Sequence, residues 1–134
     1  VLESVGITVL DAISFTADTL LPQLAVKNPA ASVTVHPTCS AFQLGMMEDV
    51  EKVARAAATE VHIPTDWNCC GYAGDRGMLH PELTDAATRA EAAQVKEIGA
   101  QYHASTNRTC ELGLTRATGE DYHHILELLE QATR

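Results

Sequence analysis

The sequence predicts an α/β fold in three layers: a short, mostly parallel sheet flanked by helices, with cysteine-bearing loops at the carboxyl ends of the strands. Three observations predict it. Short strand-like segments and helical stripes alternate as strand, helix, strand, helix, strand, helix, the order of parallel βαβ units. Proline or glycine closes most of these segments. The cysteines fall just past the strands, with Cys39 after the first, the adjacent Cys69-Cys70 after the second and Cys110 after the third.

Each element has its own signal. Residues Ile13, Ala17, Leu20, Leu21 and Leu24 form one apolar stripe of a helix from Asp11 to Leu24, which Pro22 kinks or ends early. Ser32 to His36 is a β-branched strand stopped by Pro37. Leu44, Met47, Val50, Val53, Ala54 and Ala57 predict a helix from Phe42 to Ala58, followed by a strand from Thr59 to Ile63 that Pro64 closes. Thr65 to His80 is a glycine-bearing loop holding the cysteine pair. Pro81 and the acidic Glu82 and Asp85 open a helix to Ile98, which Gly99 ends. Ala100 to Ala104 is the third strand, and a short helix carries Cys110 as far as Ala117, with Gly119 as its stop. Tyr122, Ile125, Leu126, Leu128 and Leu129 mark a terminal helix.

Composition narrows the function classes. With 134 residues, 46% hydrophobic and 20% charged, the chain reads as a single domain over residues 1–134 with a real core. A net charge of −9 and the lack of a basic patch argue against nucleic acid as a partner. The apolar runs are too short for a transmembrane segment, and no basic region followed by an apolar stretch marks a secretory signal. A cytoplasmic location, or one peripheral to the inner face of the membrane, is therefore expected. The first residue is Val1 rather than methionine, so an excised piece of a longer protein is expected too.

Without a secretory signal, four cysteines read as metal or redox ligands rather than as two structural disulfides. In open parallel sheets ligands bind at the carboxyl ends of the strands, where all four thiols are expected. Soft thiolates from three distant segments suit zinc or an iron–sulfur cluster. Adjacent cysteines fit a single tetrahedral zinc poorly, because structural zinc knuckles place two to four residues between ligands. A polynuclear cluster is wider, so neighbouring thiolates can bind different irons. Gly71, Gly74 and Gly77 let the backbone wrap a bulky group, while loop N–H groups and Arg76 can donate to sulfur. The alternatives are a structural or docking domain that holds zinc or no metal, and a thiol-redox role for the Cys69-Cys70 pair.

Three strings carry a resemblance: His36-Pro37-Thr38-Cys39-Ser40, Cys69-Cys70-Gly71-Tyr72-Ala73-Gly74-Asp75-Arg76-Gly77, and Ser105-Thr106-Asn107-Arg108-Thr109-Cys110-Glu111-Leu112-Gly113. Together, over nearly the whole chain from about Asp11, they resemble the cysteine-rich CCG domain. That domain is found in heterodisulfide reductases, in the iron–sulfur components of glycolate oxidase and anaerobic glycerol-3-phosphate dehydrogenase, and in FAD-linked D-lactate dehydrogenases. The resemblance is greatest to the C-terminal part of the last group. It implies a cluster, [4Fe-4S] or zinc in its place, held by Cys39, Cys69, Cys70 and Cys110. It also implies FAD and further iron–sulfur domains elsewhere in a parent polypeptide, with electrons leaving to a quinone or cytochrome. The fragment itself would do no substrate chemistry. In the fullest form of the motif the third block is Cys-x-x-Cys, and here its first position is Asn107. A double cluster needing five thiolates is then not expected, and Asn107 is left to orient a thiolate by hydrogen bonding.

Other residues have milder readings. His36 is a donor beside the cysteines, or a capping or solvent-facing residue. His62, His80 and His103 are read as non-ligands, and His123 and His124 as surface residues of the terminal helix. Asp75 and Arg76 read as an ion pair shaping the glycine loop, and Trp67 as a shield over the cysteines or as ordinary packing. Tyr102 and Tyr122 are expected in the core, and no phosphate-binding glycine pattern follows a strand.

Overall fold

In the computed structural model, which describes residues 5–134, four strands form one all-parallel sheet. They are β1 (Ala30–His36), β2 (Ala58–His62), β3 (Tyr102–Ser105) and β4 (Tyr122–His124), in the order β2-β1-β3-β4. The α/β fold class read from the sequence is the one observed, with one strand more than expected.

The helices lie on both faces. Around β1 run α1 (Ala12–Phe15), α2 (Cys39–Gln43) and α3 (Met47–Ala57); α4 (Arg76–Leu79) and α5 (Pro81–Ile98) precede β3. Then come α6 (Arg108–Thr118) and the terminal α7 (Ile125–Thr133). Strands after β1 leave in opposite directions, β2 to one side and β3 to the other. The carboxyl ends of β1 and β3 therefore flank a topological switch point, the crevice where such sheets take ligands.

Four expectations need correction. The helix expected from Phe42 to Ala58 is two helices, because Gly45 adopts a left-handed φ of 71° that no continuing helix allows. The first helix widens to a π-helical turn at Thr16–Leu20 and ends in a 3-10 turn at Leu21–Gln23, where Pro22 has no N–H to give. The Thr65 to His80 loop contains α4, a single turn. Tyr122, His123 and His124 belong to β4 rather than to the terminal helix, with Tyr122 paired to His103 and His124 to Ser105.

Strand pairing decides which side chains share a face, since residues directly opposite in a parallel ladder point the same way and successive residues alternate. One face presents Val33, Val35 and Ala104 to α1, α3 and α7. There they join Ile13, Val50, Val53, Ile125, Leu128 and Leu129 in one apolar core. The other face presents Thr34, His36, His103, Ser105 and Tyr122, all buried, beneath α5 and α6. The helices answer in kind, with Thr84, Thr88 and Glu91 buried on α5 and Glu111 on α6. No helix among the described residues is long and apolar enough to cross a membrane.

Candidate metal centre

The cysteines are placed by helix starts and by two glycines. Thr38 caps α2, its Oγ1 accepting from the Ala41 N–H at 3.2 Å, which sets Cys39 on the first turn. The same oxygen lies 3.0 Å from Thr106 Oγ1, tying the loop after β1 to the loop after β3. Asn107 caps α6 by accepting from the Thr109 N–H at 3.0 Å and the Thr109 hydroxyl at 2.7 Å, and Cys110 follows in the first turn. The Asn107 Oδ1 is therefore committed to the helix end.

The Cys69-Cys70 loop is pressed against this frame. Gly71 has a φ of 70°, and a Cβ there would meet the Ala87 Cβ at 3.1 Å and the Leu83 carbonyl at 3.3 Å. The Tyr72 ring wedges between α4 and α6, where a Cβ on Gly77 would come within 2.6 Å of its Cγ and one on Gly113 within 3.2 Å of its Cδ2. Glycine is required at position 77 because the ring occupies the space, and at 113 a side chain would press on both the ring and the Thr84 methyl, 3.0 Å away. The wedge brings Cys70 onto Cys110, and the two sit with Tyr72 in a small buried cluster.

Cys70 Sγ and Cys110 Sγ are 3.1 Å apart, and all four cysteines are free thiols. The hydrogen bond from Cys110 pulls Cys70 down to about 6, helped by the Tyr72 N–H and the charge of His36, against the opposing effect of burial. Cys110 is raised by that same bond, by burial and by the charges of Cys70, Cys39 and Cys69. One proton thus leaves this pair easily and the other is held. Cys39, at the surface, is raised by desolvation and by the charge and hydrogen bond of Cys69. The one thiol contact therefore crosses segments, Cys70 with Cys110. The Cys69-Cys70 couple expected as a redox pair is not the one in contact.

Of the four residues predicted as ligands, Cys70 and Cys110 touch, and the charges of Cys39 and Cys69 act on Cys110. No group of three or more His, Cys, Asp or Glu side chains among the described residues is arranged to hold a single metal ion. The donor set nonetheless fits a soft thiolate-bound centre. It combines two buried and two exposed thiols, a proton readily lost, and a glycine loop with left-handed Gly71 and Gly74 able to close on a larger group. Bound there, an iron–sulfur cluster would supply one-electron redox chemistry, held by Cys39, Cys69, Cys70 and Cys110.

Neighbouring residues differ from their sequence readings. His36 is wholly buried and its Nδ1 lies 2.7 and 3.0 Å from the two oxygens of buried Glu91, so it is neither solvent-facing nor a cap. His124 is half-buried, its Nδ1 accepting from the Leu126 N–H and its Nε2 donating to the Thr106 carbonyl at 3.2 Å. Asp75 and Arg76 form no ion pair; Asp75 instead offers its carbonyl to the start of α4. Trp67 packs edge-on against Phe42 at 5.6 Å. Glu91 and Glu111 were not singled out from the sequence. The signal for Glu91 was its register with Thr84, Thr88 and Val95 on the inward stripe of α5.

The family profile described as "CCG: Cysteine-rich domain" matches residues 33–115, from β1 into α6 and across every cysteine. The chain belongs to the cysteine-rich (CCG) domain family. It is similar to lactate utilization protein A of Oceanobacillus iheyensis, 28% identical over 105 residues, covering 72% of this chain and 43% of the relative. It is also similar to lactate utilization protein A 1 of Bacillus mycoides, 24% identical over 106 residues, covering 73% of this chain and 43% of the relative. The CCG chain thus spans less than half the length of the curated relatives it matches. No solved structure matches it.

Proposed function

We propose that this CCG domain is an iron–sulfur electron-transfer module of a lactate-oxidising system, with Cys39, Cys69, Cys70 and Cys110 as the cluster ligands. The observation that carries the reading is the 3.1 Å contact between Cys70 and Cys110, side chains 40 residues apart brought together at the switch point of the sheet. The names of the two relatives support lactate as the substrate of the wider system. In the finer form of the proposal, FAD on another domain takes the hydride from a D-2-hydroxyacid. Single electrons then pass through this domain and its iron–sulfur neighbours to a quinone or cytochrome.

Reconstitution with iron and sulfide in the absence of oxygen tests it. The expected product is brown, with thiolate-to-iron absorption that Cys70→Ser or Cys110→Ser abolishes. A colourless, iron-free product overturns the cluster. One equivalent of zinc per chain in its place would assign the domain a structural or docking role instead.

A further inference from the structure

As ligands, four thiolates at one edge would accumulate negative charge, and the chain as a whole already carries −9. Every lysine and arginine is exposed, so none supplies a counter-charge from within. Arg108, the cation closest in sequence to Cys110, is 70% exposed and spent on Glu111 at 2.8 Å. The interior does hold a group able to carry positive charge at this end of the sheet. His36 is the last residue of β1, three positions before Cys39, with no exposure at all. Glu91 reaches it from α5 and takes one nitrogen, while the other, Nε2, is buried with no hydrogen-bond partner.

Such an arrangement is a poor device for stability alone, because burying an ion pair costs about as much as the attraction returns. It is a familiar device beside metals, where a carboxylate fixes the orientation and basicity of an imidazole. We infer that His36, clamped by Glu91, is a positioning residue of the cysteine centre, its buried imidazole answering the thiolate charge from the inward side so that Cys70 and Cys110 serve one metal or cluster together. The inference rests on the metal-binding reading given above. The charge His36 exerts on Cys70 agrees with it.

Cobalt(II) titration of the reduced, oxygen-free chain reads the effect directly, through thiolate-to-cobalt absorption and competition with a chelator. His36→Gln keeps a hydrogen-bonding side chain but removes the imidazole, and is expected to weaken binding about 10–100-fold. Because that variant leaves Glu91 buried beside an amide, the double variant His36→Gln/Glu91→Gln provides a neutral, hydrogen-bonded pair. It is expected to fold and to show the same loss, since the two residues act as one unit. His62→Gln, on the same sheet face but at its exposed edge, is expected to bind like the wild type. In iron-loaded protein the double variant should show a lower reduction potential. Wild-type affinity and an unshifted potential in a folded double variant would overturn the positioning role and leave the metal reading intact. A wild-type chain that binds neither iron, zinc nor cobalt would overturn the metal reading, and the role of His36 with it.

Discussion

The two faces of the sheet are built on opposite principles although the same strands make them. Toward α3 and α7 the strands present Val33, Val35 and Ala104, and the buried cluster packed on them is apolar. Toward α5 and α6 they present Thr34, His36, His103, Ser105 and Tyr122, and the helices add Thr84, Thr88, Glu91 and Glu111. Thr34 Oγ1, His36 Nε2, Thr84 Oγ1, His103 Nδ1, Glu111 Oε1 and the Tyr122 hydroxyl are all buried there without a hydrogen-bond partner. The apolar half is what a domain of this size needs in order to fold. The polar half is expensive, since each orphaned group costs about 1–3 kcal/mol. Its His36 and Ser105 end the two strands that lead to Cys39 and Cys110, and unsatisfied buried groups concentrate where a fold serves a site rather than itself.

The most severe test of this contrast is to remove one member of the buried His36–Glu91 pair. Glu91→Ala leaves His36 alone in the interior and is expected to cost about 3–5 kcal/mol in chemical denaturation of the metal-free chain. Replacing both residues, His36→Leu with Glu91→Met, should recover most of that loss or exceed the wild type, while metal affinity stays low. A double replacement as unstable as Glu91→Ala would show that the polar half is a stabilising core after all.

On the other face Ile125 is fully buried at the start of α7, and Ile125→Ala is expected to cost about 2–5 kcal/mol. Here the stability loss should come with no change in metal affinity once the folded fraction is accounted for. Parallel losses of stability and affinity in this variant would mean that the two faces are not separable.

What was legible in the sequence follows the same division. The strand–helix alternation, the long α5 between Pro81 and Gly99, and the gathering of cysteines past strand ends all rest on periodicity and on proline and glycine, which a single sequence displays. β4 was hidden because Tyr122, Ile125, Leu126 and Leu129 keep helical spacing straight through a three-residue strand, and no turn separates His124 from α7. The polar half-core was hidden because Glu91 stands among alanines, and burial of a carboxylate depends on a histidine that only the fold supplies. The pairing of Cys70 with Cys110, rather than with its neighbour Cys69, depends on the Tyr72 wedge, and no spacing rule reveals that.

Asn107 probes the boundary between fold and site at smaller cost. Asn107→Ala removes the cap of α6 and is expected to destabilise by about 1 kcal/mol, read as a modest fall in melting temperature. Since the Asn107 Oδ1 serves the helix, cobalt affinity should change less than about twofold. A loss as large as that of His36→Gln would return Asn107 to the site.

The smallest effect lies at the far end of the polar face. Burial holds His103 below the ordinary imidazole value, outweighing the carboxylate of Glu120 at 3.9 Å, and Tyr122 lies against its ring at 5.4 Å. A histidine with a lowered folded value binds fewer protons folded than unfolded. Its contribution is therefore present above the unfolded value, near 6.5, and is lost as the pH falls through that point toward the folded value. Folding stability measured from pH 8 to 5 should accordingly decline below about 6.5 in the wild type. His103→Gln, which cannot take up the proton, should show a shallower decline over the same interval. If the two profiles are parallel, His103 is not held neutral by the interior, and the polar face is wetter at this end than its burial indicates.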